Sequence, residues 1–357
     1  MIAKLSPIVQ LDALARRNRP MFPFAAGTSQ EAIHWQRRTR RALSKQLGVD
    51  QMDAVPLRPR VLGEFDRGTH IERKVMIRST ADSDVPVYIL LPKGADAPAP
   101  CVLALHGHGY GAKAIIGMNE DGVYRAEPAG YQRDFAVELV KRGFVVAAPE
   151  INCFGEREAH YTDLPEQSPR PSSCHNASTY AMMLGLSIPG MRVWDGMRVL
   201  DYLEQVPQAD VSRAGVMGIS GGGMHAFFSA CLDPRIRATV VSGYFCNWRQ
   251  GILAISHCTC NFVPGLLRLG ELADLAGLIA PRPLLVENGT HDSIFPVADV
   301  QRTVRQARKA WRSFGAGRLV EEDYFEDGHR IHGEKAYPFL QKHLGLNADC
   351  LGVGTER

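Results

Sequence analysis

An α/β architecture, with a mostly parallel central sheet and helices on both faces, is what this 357-residue sequence predicts, and three observations predict it. From residue 101 onward, short continuous apolar runs alternate with segments of helical period, the pattern of buried parallel strands joined by helical crossovers. Two of the intervening segments, 191–206 and 297–313, carry apolar residues on one side and charges on the other. One apolar run leads directly into a glycine-rich turn that opens another helix.

Taken in order, the elements begin with a helix-favouring run over 29–47. It has Ile33, Arg37, Arg41 and Leu43 to Leu47 around Trp35, and Gly48 ends it. After the proline-broken segment 56–60, Lys74–Arg78 and Val85–Pro92 read as a hairpin separated by the polar stretch 79–84, with Pro86 suited to a sheet edge. The parallel strands expected are Cys101–Leu105, Phe144–Ala148, Ala214–Ile219, Ala238–Val241, Leu284–Glu287 and Leu319–Phe325. In the helix over 191–206, Val193, Met197, Leu200 and Leu203 face inward, with Arg192, Asp195, Arg198 and Asp201 on the other side. The helix over 297–313 turns Val297, Val300, Val304, Ala307 and Trp311 inward. Two stretches break the alternation, 150–190 and 243–279, and both follow strands, where open α/β sheets carry their functional loops. The expected organisation is an N-terminal helical arm (1–60), one α/β domain (61–346) with cap insertions at about 150–190 and 243–279, and a C-terminal tail (347–357).

Charge narrows the function classes. The net charge is +3, which excludes a strong field for nucleic acid or an anionic membrane surface. Residues 1–60 hold eleven Lys/Arg against four Asp/Glu, a basic arm read as a solvated helical face and as a candidate contact for a homo-oligomer. The first residues are broken by Ser6, Pro7, Gln10 and Asp12 before a signal-peptide core develops, and the eight cysteines are too dispersed for a secreted disulfide framework. A cytoplasmic protein with reduced thiols is the expectation.

Gly218-Ile-Ser220-Gly-Gly222 fits G-x-S-x-G, and its context raises its weight. A strand enters it, and Met224, Phe227, Phe228 and Cys231 follow at helical spacing. A serine held between strand and helix needs neighbours without side chains, because Cβ atoms at 218 and 222 would meet the backbone. Its hydroxyl is a poor nucleophile until a base takes the proton, so a histidine and an orienting carboxylate are required downstream. Leu284 to Asp292 is a strand and turn ending in an acid, and Tyr324 to His329 is a strand and turn ending in histidine. His329 is favoured over His332 because Gly328 permits a tight turn. Asp292 is favoured over Asp299, placed on the following helix, and over Asp327, next to the base; His291 reads as a satisfied loop histidine. The oxyanion donors expected are the Gly221 N–H and the N–H of His108 in Leu105-His-Gly-His-Gly, with Gly109 as the alternative.

With these residues the chain resembles the α/β-hydrolase superfamily, in particular the dienelactone-hydrolase-like and acetyl-xylan-esterase-like bacterial carboxylesterases, over about residues 30–345. The resemblance rests on the arm from Trp35 to Gly48, Ala104-Leu-His-Gly-His-Gly, the stretch from Ala148 to Arg157, Gly218-Ile-Ser-Gly-Gly-Gly, the stretch from Cys258 to Gly265, Ala280-Pro-Arg-Pro-Leu-Leu and Gly328-His329. It implies the α/β-hydrolase fold, Ser220 as nucleophile with Asp292 and His329, and no cofactor. Glu150 departs from the aspartate of many relatives, which touches a supporting contact and leaves the triad intact. A substrate does not transfer, since one fold serves many esters.

Arg157, Tyr244 and Trp248 are candidate substrate contacts, with an Arg–Glu pair that fixes its loop the preferred reading of Arg157. Trp194 and Trp311 read as core. No metal is expected: His106 and His108 lack a third ligand at the usual spacing, and Cys258-Thr-Cys260 beside His257, with Cys174-His175, read as buried thiols of the cap, with a disulfide or a soft metal cluster as the alternatives. The expected activity is therefore serine-dependent hydrolysis of a small ester. Its alternatives are a prolyl-oligopeptidase-like peptidase or amidase, disfavoured because about 100 leading residues cannot build a propeller, and a non-catalytic hydrolase-like binding module.

Overall fold

The computed structural model describes residues 6–94, 97–159 and 172–346; the tail from 347, with Cys350, and part of the first insertion lie outside them. Among the described residues the strands are β1 (Arg60–Asp66), β2 (His70–Thr80), β3 (Ser83–Pro92), β4 (Ala99–Leu105), β5 (Val145–Pro149), β6 (Ala209–Ile219), β7 (Ile236–Ser242), β8 (Leu284–Gly289) and β9 (Val320–Phe325). They form one sheet in the order β1-β2-β3-β5-β4-β6-β7-β8-β9. The six from β5 to β9 run parallel, and β1, β2 and β3 add an antiparallel flank. The chain leaves β4 for β5 on one side and then returns for β6 on the other. That reversal opens the crevice between the loops after β4 and β6, where such sheets bind ligands.

The helices are α1 (Pro7–Arg17), α2 (Ser29–Leu47), α3 (Phe135–Lys141), α4 (Ser173–Met183), α5 (Ile188–Leu203), α6 (Gly221–Leu232), the short α7 (Leu266–Leu269) and α8 (Leu272–Leu275), α9 (Val297–Arg312) and α10 (Ala336–Leu344). Side chains of α2, α5, α6 and α9 bury one face of the sheet, and those of α3 and α10 bury the other. Apolar area removed from water on both faces is the main stabilising contribution, at roughly 25 cal/mol per Å². None of the described helices is long and apolar enough to cross a membrane.

Several local expectations need correction. Pro86 is not at an edge: β3 lies between β2 and β5, and the proline fits because the β5 ladder begins one residue later, at Val87. The edge strand on this flank is β1, which the proline-broken reading of 56–60 does not foresee. In α2, Ala32, Gln36, Thr39, Leu43 and Leu47 turn inward while Ile33 is exposed. A capping box between Thr28 and Glu31 starts the helix and a left-handed Gly48 stops it. The charged side of α5 is buried as well. Arg192, Asp195 and Arg198 are covered because the N-terminal segment and the first insertion lie over them, with Arg198 donating to Val55 O and Arg157 pairing with Asp195.

Candidate active site

Ser220 occupies the tight turn between β6 and α6 at φ 57° and ψ −124°, a conformation that costs a residue with a side chain on the order of 1–3 kcal/mol. The surroundings hold it there. Ser220 N donates to Ser242 O (2.9 Å), and α6 starts so close to β4 that a Cβ at Gly222 would lie 2.0 Å from Leu105 O. A Cβ at Gly218 would lie 2.2 Å from Gly222 O, so both flanking glycines are obligatory on steric grounds. The hydroxyl is half-buried, and the N–H of Gly221 opens α6, where helix N–H groups lack intrahelical acceptors.

The candidate acid and base arrive from β8 and β9, beyond β7 in the sheet order. Asp292 follows β8; its Oδ1 accepts the N–H groups of Ile294 (2.8 Å) and Phe295 (3.0 Å), which leaves Oδ2 for His329 Nδ1 at 2.6 Å. That pair fixes the tautomer: Nδ1 donates to the carboxylate, and Nε2 remains the acceptor. Nε2 is buried and has no hydrogen-bond partner among the described residues. The His329 ring stands near-parallel to Tyr131 (centroids 5.6 Å) and to Phe295 (5.9 Å), and it lies against the backbone of Gly243, where a Cβ would come within 2.7 Å of Cε1. Gly328 adopts no left-handed φ and has open space around its Cα, so the reason for preferring His329 is the Asp292 bond and not a glycine turn. His332 turns elsewhere, to Asp323 (2.8 Å) and a stack on Phe325. Asp299 pairs with Arg302, Asp327 with Arg330, and His291 is exposed.

Ser220, His108, Tyr131, Tyr244 and His329 line one cavity of about 340 Å³, closed by Ile255, His257, Cys258, Ile294 and Phe295. His108 N–H and Gly109 N–H both lack a protein acceptor among the described residues. Residue 108 is anchored through its carbonyl by the Tyr131 hydroxyl (2.6 Å). His106 uses its ring on the backbone instead, with Nδ1 on Gly107 O (2.8 Å) and Nε2 accepting from Ile151 N (3.1 Å). Glu150 is buried beside it and accepts from Ala112 N at 3.0 Å. Burial pushes the Tyr131 and Tyr244 phenols up and the His257 imidazole down, so the cavity wall holds neutral forms of these groups near neutral pH.

Two of the candidate substrate contacts are corrected. Arg157 is buried against Asp195 (2.7 Å) and Ser83 (3.0 Å), pinning its loop away from the cavity. Trp248 is core: it is buried, donates Nε1 to Gly270 O (2.8 Å) and stacks on Phe228. Tyr244 does border the cavity, and its hydroxyl has no partner among the described residues. Tyr131 and Phe295 were missed by sequence reasoning. The run Asp292-Ser-Ile-Phe before Pro296 carries a turn signal that places Phe295, whereas the irregular segment holding Tyr131 carries none.

Comparisons with known proteins bear on the family and the fold. The Abhydrolase family profile matches residues 5–312. The Bacillus subtilis (strain 168) protein YtaP, assigned as a hydrolase, is 26% identical over 318 residues, 85% of this chain and 98% of its own. A Bacteroides fragilis NCTC 9343 structure assigned as an acetyl xylan esterase superposes with a TM-score of 0.78 at 18% identity, covering 96% of this chain and 97% of that one. A glucuronoyl esterase from Solibacter usitatus gives 0.62 at 17% identity, covering 87% and 93%. At these identities the two structures establish a shared fold, and the profile, matched along most of the sequence, establishes that the chain belongs to the Abhydrolase family of α/β-hydrolases.

Proposed function

We propose that this protein is a serine-dependent hydrolase of small carboxylic esters, working in the cytoplasm on a small molecule. The observation that carries the reading is the open acceptor position on a buried, carboxylate-oriented imidazole, at the wall of the cavity that the Ser220 turn also lines. In this mechanism His329 Nε2 takes the Ser220 Oγ proton as Oγ attacks the ester carbonyl, and the Gly221 and His108 amides hold the oxyanion. His329 then returns the proton to the leaving alcohol, and water repeats the cycle on the acyl-enzyme. A cavity of about 340 Å³ suits a short acyl group with one ring of its alcohol, and relatives of this fold are named for acetylated and glucuronoyl sugar esters. Acetylated sugars are accordingly the first substrates to test.

The experiment pairs Ser220→Ala with p-nitrophenyl acetate turnover and fluorophosphonate labelling. Turnover should fall by at least about 10⁴-fold and labelling should vanish. Near-normal turnover in the variant would refute the assignment. Faster cleavage of matched anilides than of esters would replace it with an amidase.

A further inference from the structure

At the wall of the Ser220 cavity lies a cluster of side chains that the proposed hydrolysis does not use, although the backbone amide of one member, His108, is the proposed oxyanion donor. His108, Cys174, Cys258 and Cys260 present one nitrogen and three sulfurs that all lie within 4.8 Å of one another. They come from three segments: the loop after β4, helix α4 in the first insertion, and the loop after β7. The histidine that joins the thiols is thus neither His175 nor His257, which is why spacing along the chain did not reveal the set. We propose that these four side chains form a tetrahedral zinc site that ties both insertions to the loop carrying the oxyanion amide.

Three observations support it. A tetrahedral Cys₃His zinc, with Zn–S bonds of about 2.3 Å, needs donors about 3.8 Å apart, so the present spacing requires a contraction of no more than about 1 Å. His108 Nε2 already lies 3.4 Å from Cys260 Sγ. The donor set is soft, which selects zinc over calcium or magnesium, and four protein ligands close the shell, so the ion is structural and holds no reacting water.

The third observation is charge. Arg192 is among the largest fully buried side chains, and among the described residues no carboxylate lies within ion-pair distance of it. Its guanidinium points instead at Cys260 Sγ (3.5 Å) and Cys174 Sγ (3.9 Å), and also donates to Asn152 O (2.9 Å). Three thiolates and a neutral imidazole around a dication carry a formal charge of −1, which one guanidinium cancels. An isolated buried cation is costly; a cation beside a zinc–thiolate centre is paired. Asn261 Nδ2 approaches Cys260 Sγ at 4.0 Å and adds a further N–H donor around the sulfurs, as outer groups of zinc–thiolate sites do. Cys153 shares the apolar cluster with Cys174 and Cys260 without joining the four.

The test is made on the full chain, purified reduced with no metal added, then incubated with zinc and desalted. Elemental analysis should give one zinc per chain. Cobalt exchange should give the strong visible bands of a tetrahedral thiolate site. Cys174→Ser and Cys258→Ser should each lower the zinc retained by about tenfold or more, and Cys246→Ser, a buried thiol outside the set, should leave it unchanged. The site is disproved by less than about a tenth of an equivalent of zinc after incubation, by a weak octahedral cobalt spectrum, or by a disulfide between any two of the three cysteines. Zinc loss in Cys153→Ser but not in Cys258→Ser would also overturn the ligand set. If the serine variants do not fold, the cobalt spectrum and zinc release on mercurial titration of the wild type decide alone. Ester turnover enters none of these readouts, so failure here leaves the hydrolytic reading intact.

Discussion

Replacing Gly243 by alanine isolates the placement of the base from its chemistry. The added methyl would sit 2.7 Å from His329 Cε1 and 2.9 Å from Nδ1, and ordinary contact begins near 3.4 Å, so the ring must withdraw by about 0.7 Å. His329 is held at 2.6 Å from Asp292, and withdrawal either stretches that bond or turns Nε2 away from Ser220. Misplacement of a reacting group by about 1 Å costs on the order of 10²-fold, which puts the expected fall in kcat between about 10-fold and 100-fold, with KM changing less. Gly243 also has φ +52°, so alanine should lower stability by a further 1–2 kcal/mol or so. The assay is p-nitrophenyl acetate turnover beside urea unfolding, with Gly328→Ala as the contrast. Gly328 adjoins His329 in sequence, but its Cα is surrounded by open space and has no left-handed φ, so that variant should keep near-normal kcat. A Gly243→Ala enzyme within threefold of wild type, or a Gly328→Ala enzyme as impaired as Gly243→Ala, would refute the reasoning.

Other perturbations separate roles that the sequence leaves entangled. His329→Gln should abolish turnover, whereas His332→Gln, which loses its bond to Asp323, should cost about 1 kcal/mol of stability and leave kcat near normal; the reverse pattern in the same assay would exchange the two histidines. Arg157→Ala leaves the buried Asp195 carboxylate without its cation, held only by Ser79 Oγ and Asn152 Nδ2, and should cost about 3 kcal/mol in urea unfolding, with little change in KM in whatever folded enzyme remains; a KM effect without a stability effect would return Arg157 to the substrate. Burial, with the charge of Arg192, pushes the His225 imidazole down to about 3, so the native state keeps it neutral while the unfolded chain takes up a proton below its ordinary value of 6.5. Stability should therefore fall as the pH drops from 6.5 towards 3, by about 1.6 kcal/mol between 6.5 and 5 from this group alone, and equal acid sensitivity in His225→Gln would disprove that source.

The parallel half of the sheet was legible because strands buried on both faces must be continuously apolar, and Cys101–Leu105 and Ala214–Ile219 are apolar throughout. The turn around Ser220 was legible because its steric requirement is local: two glycines at fixed offsets suffice to announce it. The charged face of α5 was misread because periodicity reports which side of a helix meets the core, not what later folds over the other side. Trp248 and Tyr244 show the same limit. They stand four residues apart in one loop, yet one packs on Phe228 and the other borders the cavity, a difference set by Gly270 and Phe295, which arrive from other parts of the chain. The thiol cluster was half legible for a related reason: the sequence grouped its three cysteines but set them beside His175 and His257, because His108 joins them only when both insertions close over the loop after β4.

The strand order bears on durability. β6, which leads into Ser220, the proposed nucleophile, is clamped between two neighbours, as is β8, which leads to Asp292, whereas β9, which leads to His329, is bonded along one side alone. Peripheral strands open at lower free energy than interior ones. Fraying at that margin would carry His329 off and leave Ser220 and Asp292 in place, a chain still folded in its greater part and already inert. On the proposed mechanism, working lifetime would be set by the hold of β8 and α9 on one short ribbon, with Arg308 of α9 bonded to Val320 O and Glu322, and not by the depth of the core beneath Ser220.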